Sequence, residues 1–124
     1  MLKESKAFAG FSVNDLKAAK SFYGETLGVD VKDGSEGLEL QVAGGTPIFI
    51  YPKSNHEPAT YTVLNFPVDD IEKTVDELVK RGVTIERYDD MKADEKGIAR
   101  GHGMAIAWFK DPAGNILSVI ESNK

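Results

Sequence analysis

The chain repeats itself. Val13-Asn14-Asp15-Leu16 is matched by Val68-Asp69-Asp70-Ile71 at a shift of 55 residues, and Phe11 is matched by Phe66 at the same shift. Gly28-Val29 returns as Gly82-Val83 at a shift of 54. Shared cap chemistry alone accounts for the Asp and Gly matches, but less well for a whole order of elements recurring at one spacing. Each half reads as a strand, a helix and then three strands.

The first half opens with Ala7–Val13, an apolar segment closed by Asn14 and Asp15, which reads as a buried strand. Asn14 suits an N-cap, and Asp15 suits the positive end of a helix. Leu16, Ala19, Phe22, Tyr23 and Leu27 recur at helical spacing up to Gly28, predicting a helix over 15–27. Strands are predicted near 29–33, 37–43 and 47–52, with turns at Gly34 and Gly44-Gly45. Residues 53–60 are polar and contain a proline, as in a linker. Tyr61–Val68 then reads as a strand. Asp69 is placed as the next N-cap, with Glu72 three residues on, as in a capping box. Ile71, Val75, Leu78 and Val79 form the apolar stripe of a second helix, closed by Lys80, Arg81 and Gly82. Strands near 83–88, 102–110 and 115–121 complete the half, the last two joined by the turn Asp111-Pro112-Ala113-Gly114-Asn115.

With 124 residues the chain has room for one domain, 1–124, containing repeat halves at about 7–52 and 61–121. A half of this size buries its sheet poorly alone, so the two are expected to cover each other. The expected fold class is α+β: two βαβββ modules forming a cupped, partly closed mixed sheet, with helices on the convex face. The concave face would then be a cavity, a usual place for a small molecule.

Composition narrows the function. The chain has no cysteine, which excludes disulfides, thiolate metal sites and a cysteine nucleophile. Twenty acidic residues against fifteen basic ones give a net charge of −5, with no basic stripe for nucleic acid. No apolar run approaches the roughly 20 residues of a membrane span, and the start carries no secretory signal. The cytoplasm is the expected setting. No nucleophile–base pair stands out, so catalytic residues remain unassigned.

These elements resemble the vicinal oxygen chelate superfamily, which includes glyoxalase I, bleomycin resistance proteins and extradiol dioxygenases. The resemblance is carried by Val13 to Leu16 leading to Ser21-Phe22-Tyr23 and Leu27-Gly28, and by Val68 to Ile71 through Arg81-Gly82-Val83. Arg100-Gly101-His102-Gly103 and the closing segment Phe109 to Ile116 complete it. The resemblance implies metal ligands at Phe8, at Val63, at Ser118 and near Ile48-Phe49-Ile50. None of these offers a good donor, since Phe and Val carry none and Ser is a poor ligand. The expectation is therefore no cofactor and no metal.

By the same resemblance Phe8, Val63, Asn65 and Ser118 face the cavity, with Phe49 and Tyr51 as further wall residues. Trp108 either packs against a helix or forms a stacking wall for a flat ligand. His102, between two glycines, is either a turn residue or a ligand contact at the rim. His56 reads as an exposed loop residue. Gly97, Gly101 and Gly103 read as turn or lid glycines. The function expected is a metal-free small-molecule-binding protein of the glyoxalase/bleomycin resistance type, holding an apolar or aromatic ligand in the cupped-sheet cavity. The alternative is a metal-dependent lyase, isomerase or dioxygenase using non-standard ligands. The resemblance implies a homodimer.

Overall fold

The computed structural model describes residues 1–122. The chain divides into two compact units, the first Met1–Pro58 and the second beginning at Ala59. After a 3-10 turn at Leu2–Glu4, the first unit contains β1 (Gly10–Val13), α1 (Leu16–Ser21), β2 (Asp30–Asp33), β3 (Leu38–Gln41) and β4 (Ile48–Pro52). The second contains β5 (Thr62–Pro67), α2 (Ile71–Lys80), β6 (Ala99–Gly101), β7 (Met104–Lys110) and β8 (Ile116–Ser122).

Each unit forms its own four-stranded mixed sheet, and neither sheet closes on itself. The strand orders are β1-β4-β3-β2 and β5-β8-β7-β6. In both, the first strand runs parallel to the fourth and the other neighbours are antiparallel. The repeat in sequence is thus a repeat in topology, and the α+β class with two βαβββ modules holds.

Register sets which side chains share a face. In the first unit Phe11, Val13, Leu38, Leu40 and Ile50 lie on one face and are buried, as are Ala19 and Tyr23 of the helical segment. The Phe11 and Tyr23 rings meet at 6.1 Å. In the second unit Ala105, Ala107, Phe109, Leu117 and Val119 form the buried face, together with Ile71, Val75 and Leu78 of α2. Val79, expected in that stripe, is 55% exposed.

Four local expectations are corrected. Both N-caps sit one residue later than read: Asp15 accepts from the Ala18 N–H at 3.1 Å and Asp70 from the Lys73 N–H at 3.1 Å. Both are extended, with φ near −143° and −137°. Glu72 consequently closes no capping box and instead pairs with Lys96 and Arg100. The helix expected over 15–27 is α-helical only to Ser21, and Phe22–Thr26 continues as a π-helix, with Leu27 N–H reaching Phe22 O at 2.9 Å. The first strand begins at Gly10 rather than Ala7, although Phe49 N–H still donates to Ala9 O at 3.0 Å.

The strand expected near 83–88 is reduced to a single bridge, Glu86 to Trp108. The second strand of that module is β6. The Val83 N–H instead closes the end of α2 on Leu78 O at 2.9 Å, and the Arg87 side chain donates to the carbonyls of Asp94 and Glu95 in the loop that follows. Gly97, at φ 87°, then turns it back; a Cβ there would lie 2.5 Å from Ile85 Cγ2. The Asp111–Asn115 turn forms as expected. Asp111 Oδ1 accepts from Ala113 and Asn115 N–H, and Oδ2 accepts from the Asn115 amide.

Candidate functional site

Each sheet has one face packed by its helix and one face free of it, and the chemistry lies on the free faces. In the first unit, alternation puts Gly10, Ser12, Glu39, Phe49 and Tyr51 on the helix-free face. Phe49 is the centre of an aromatic row. Its ring stacks on Tyr51 at 5.8 Å and 21°, and Phe8 meets it edge-on at 6.5 Å and 88°. Phe8 is 66% exposed. A depression of about 280 Å³ is lined by Phe8, Glu39, Thr46, Pro47 and Phe49.

His56 is not the exposed loop residue expected. It is half-buried, and its Nδ1 lies 2.6 Å from the Ser12 hydroxyl. The polar linker folds back at this point, with His56 N–H donating to Lys53 O at 3.1 Å. Nothing in the local sequence pattern signals that contact, because it joins residues 44 positions apart.

In the second unit the register aligns Asn65, Ser118, Trp108 and Glu86 in one row across the helix-free face. Trp108 therefore stands on the face opposite α2 and does not pack against the helix. Ser118 is fully buried and its hydroxyl donates to Asn65 Oδ1. The indole N–H of Trp108 donates to Thr62 Oγ1 at 3.2 Å. The Tyr88 ring meets Trp108 edge-on at 5.6 Å and 80°. Burial, with a smaller push from Glu86, raises the Tyr88 phenol above its ordinary pKa. Thr62, Glu86 and Tyr88 were not anticipated from the sequence.

Val63 is half-buried at a bulge: the register slips between Thr62 and Leu64, so alternation alone does not assign it to a face. His102 is exposed at the tip of the β6–β7 hairpin. With φ 51° at His102 and 74° at Gly103, the loop is a two-residue turn of the kind that matches strand twist. Met104 to Trp108 spans about 14 Å of strand. His102 is therefore no neighbour of Trp108. The structure brings Phe8 and Phe49 together in one unit, and Asn65, Ser118 and Trp108 in the other.

Beyond this face, Asp94 anchors the 94–100 segment. Burial pushes its carboxyl up, but the N–H groups of Ile98 and Lys96, with Arg100 and Arg87, outweigh it and hold the pKa below the ordinary value. Among the described residues, no three His, Asp or Glu side chains gather as a metal site, and no helix is long and apolar enough to cross a membrane.

Residues 7–119 match the Glyoxalase/Bleomycin resistance protein/Dioxygenase superfamily. The antibiotic-binding protein TnmS3 from Streptomyces sp. CB03234 is 25% identical, with a TM-score of 0.71, over 94% of this chain and 93% of that one. A glyoxalase/bleomycin resistance protein from the same organism is 27% identical, with a TM-score of 0.67, over 93% of this chain and 98% of that one. A glyoxalase family protein from Enterococcus faecalis shares the fold at 22% identity, with a TM-score of 0.70, over 98% of this chain and 100% of that one. No curated protein matches the chain.

Proposed function

The chain belongs to the Glyoxalase/Bleomycin resistance protein/Dioxygenase superfamily, and from that premise we propose that it is a metal-free small-molecule-binding protein that holds an apolar or aromatic ligand. One observation carries the reading: the rings of Phe49, Tyr51 and Trp108 stand on helix-free sheet faces, with Phe8 edge-on to Phe49, outside the helix-packed cores. Burying such a side chain is worth roughly 1.5–3 kcal/mol. Leaving Phe8 mostly exposed beside Phe49 forgoes that gain until something flat and apolar covers it. The antibiotic-binding name of TnmS3 supports a binding role. The net charge of −5 favours neutral or cationic ligands over anionic ones.

The residues at the family's metal positions do not fit a divalent ion. Phe8 and Phe49 are engaged ring to ring, Val63 has no donor, and the Ser118 hydroxyl is committed to Asn65. No step of a metal-dependent lyase, isomerase or dioxygenase is therefore assigned to this chain. A homodimer and a cytoplasmic setting belong to the same proposal, on the family resemblance alone.

The test is thermal unfolding against proflavine (cationic), fluorene (neutral) and 1-anilinonaphthalene-8-sulfonate (anionic). The expected result is a rise of several degrees with the first two, lost in Phe49→Ala. No shift with any of the three overturns the aromatic-ligand reading.

A further inference from the structure

We propose that Tyr88 is the polar anchor of the Trp108 face, its hydroxyl donating a hydrogen bond to the carbonyl oxygen of a neutral, flat aromatic ligand. This rests on the aromatic-ligand reading above and adds the chemistry that such a ligand must carry.

The Tyr88 hydroxyl is buried and, among the described residues, is the only buried side-chain polar atom without a hydrogen-bond partner. A buried donor without a partner has given up its hydrogen bond to water and gained none in return. Phenylalanine would give the same edge-on contact with Trp108 without that cost. Packing therefore does not explain the hydroxyl, whereas an incoming acceptor does.

Its surroundings select the partner. Neighbouring polar groups of the face are engaged: Ser118 donates to Asn65, the Trp108 indole donates to Thr62, and Glu86 pairs with Lys110 at 3.9 Å. Among the described residues, Tyr88 carries the buried donor left without a partner. The raised phenol pKa keeps its proton in place at neutral pH. Glu86 shares the face, paired in register with Trp108, so its carboxylate disfavours an anionic acceptor. An uncharged carbonyl conjugated to a ring satisfies both demands, since the ring meets Trp108 while the oxygen meets Tyr88. Tyr88 is itself half-buried and opens the exposed stretch 89–92, at the margin of the packed core.

The experiment compares 9-fluorenone with fluorene, which share a ring skeleton and differ by the carbonyl. Trp108 is the chain's single tryptophan, so quenching of its fluorescence reports binding at this face. The unmodified protein is expected to bind fluorenone about tenfold more tightly than fluorene, the change that 1.4 kcal/mol produces. Tyr88→Phe is expected to erase the preference by weakening fluorenone alone. The ligand-free variant should melt no lower than the parent, because it has lost only an unpartnered group. A preference that survives in Tyr88→Phe, equal binding of both compounds by the parent, or a lower melting point of the free variant overturns the anchor while leaving the aromatic-ligand reading intact. Absence of quenching by either compound in the parent overturns the anchor, whereas absence of the thermal shift described above overturns the aromatic-ligand reading.

Discussion

Phe8 and Phe109 are the same side chain in opposite circumstances. Phe8 is 66% exposed on a helix-free face, and Phe109 is 1% exposed in the core of its unit. Truncating a buried Phe removes its transfer energy and leaves a cavity, costing about 3–5 kcal/mol. An exposed ring leaves no cavity, so Phe8→Ala is expected to cost under about 1 kcal/mol. Urea denaturation of the two variants checks this. A loss of several kcal/mol at Phe8 would make it a structural residue and remove it from the candidate site. At this scale the sequence was partly legible. Asn65 and Ser118 are read toward one cavity only through the family resemblance, and the strand register pairs them. The side of the sheet on which Trp108 stands was not legible, because a strand of alternating Met104, Ile106 and Trp108 shows its period but not its orientation. Tyr88 was invisible for a related reason: its neighbour is 20 residues away and its missing partner leaves no mark in the sequence.

The helices test how finely an element can be read. Cap chemistry places a helix start correctly to within a residue, and here the residue matters. Asn14-Asp15 and Asp69-Asp70 each offer two good caps in succession. The backbone decides between them, since Asp15 and Asp70 are extended and their carboxylates accept the N–H three residues on. Asp15→Ala and Asp70→Ala should each cost about 1 kcal/mol. Asn14→Ala and Asp69→Ala should cost at most a few tenths, within the ordinary range of surface changes of about 0.5 kcal/mol. Thermal melts of the four variants measure the contrast, and a larger loss at Asn14 or Asp69 would restore the caps read from sequence. The strand near 83–88 failed for a different reason. Val83, Thr84 and Ile85 have strand propensity, yet the Val83 N–H closes the end of α2 on Leu78 O, and the stretch meets β7 through the Glu86 N–H on Trp108 O. Propensity is local, whereas the Arg87 side chain holds the following loop by carbonyls seven and eight positions on.

Over the whole chain, the repeat carries furthest. Two sheets of identical strand order make Phe49 in one unit the topological counterpart of Ser118 in the other, because Gly10 pairs with Phe49 as Asn65 pairs with Ser118. A shift of 55 residues relates Gly10 to Asn65. Both counterparts lie where the resemblance placed metal ligands, and neither provides one: one is an aromatic wall and the other is a hydroxyl already used by its neighbour. The symmetry of the fold has been kept while the donor chemistry at its equivalent positions differs. The whole protein then has a simple response to metal. A metal held only by the native state, at about 100 times its dissociation constant, adds roughly 2.7 kcal/mol. In a chain of this size that moves the melting midpoint by several degrees. Chelator-stripped protein is expected to show no such shift with Ni, Zn, Mn, Fe(II) or Co. A clear rise with one of them would mean that donors outside these positions assemble a site, and would return the metal-dependent reactions of the superfamily to this chain.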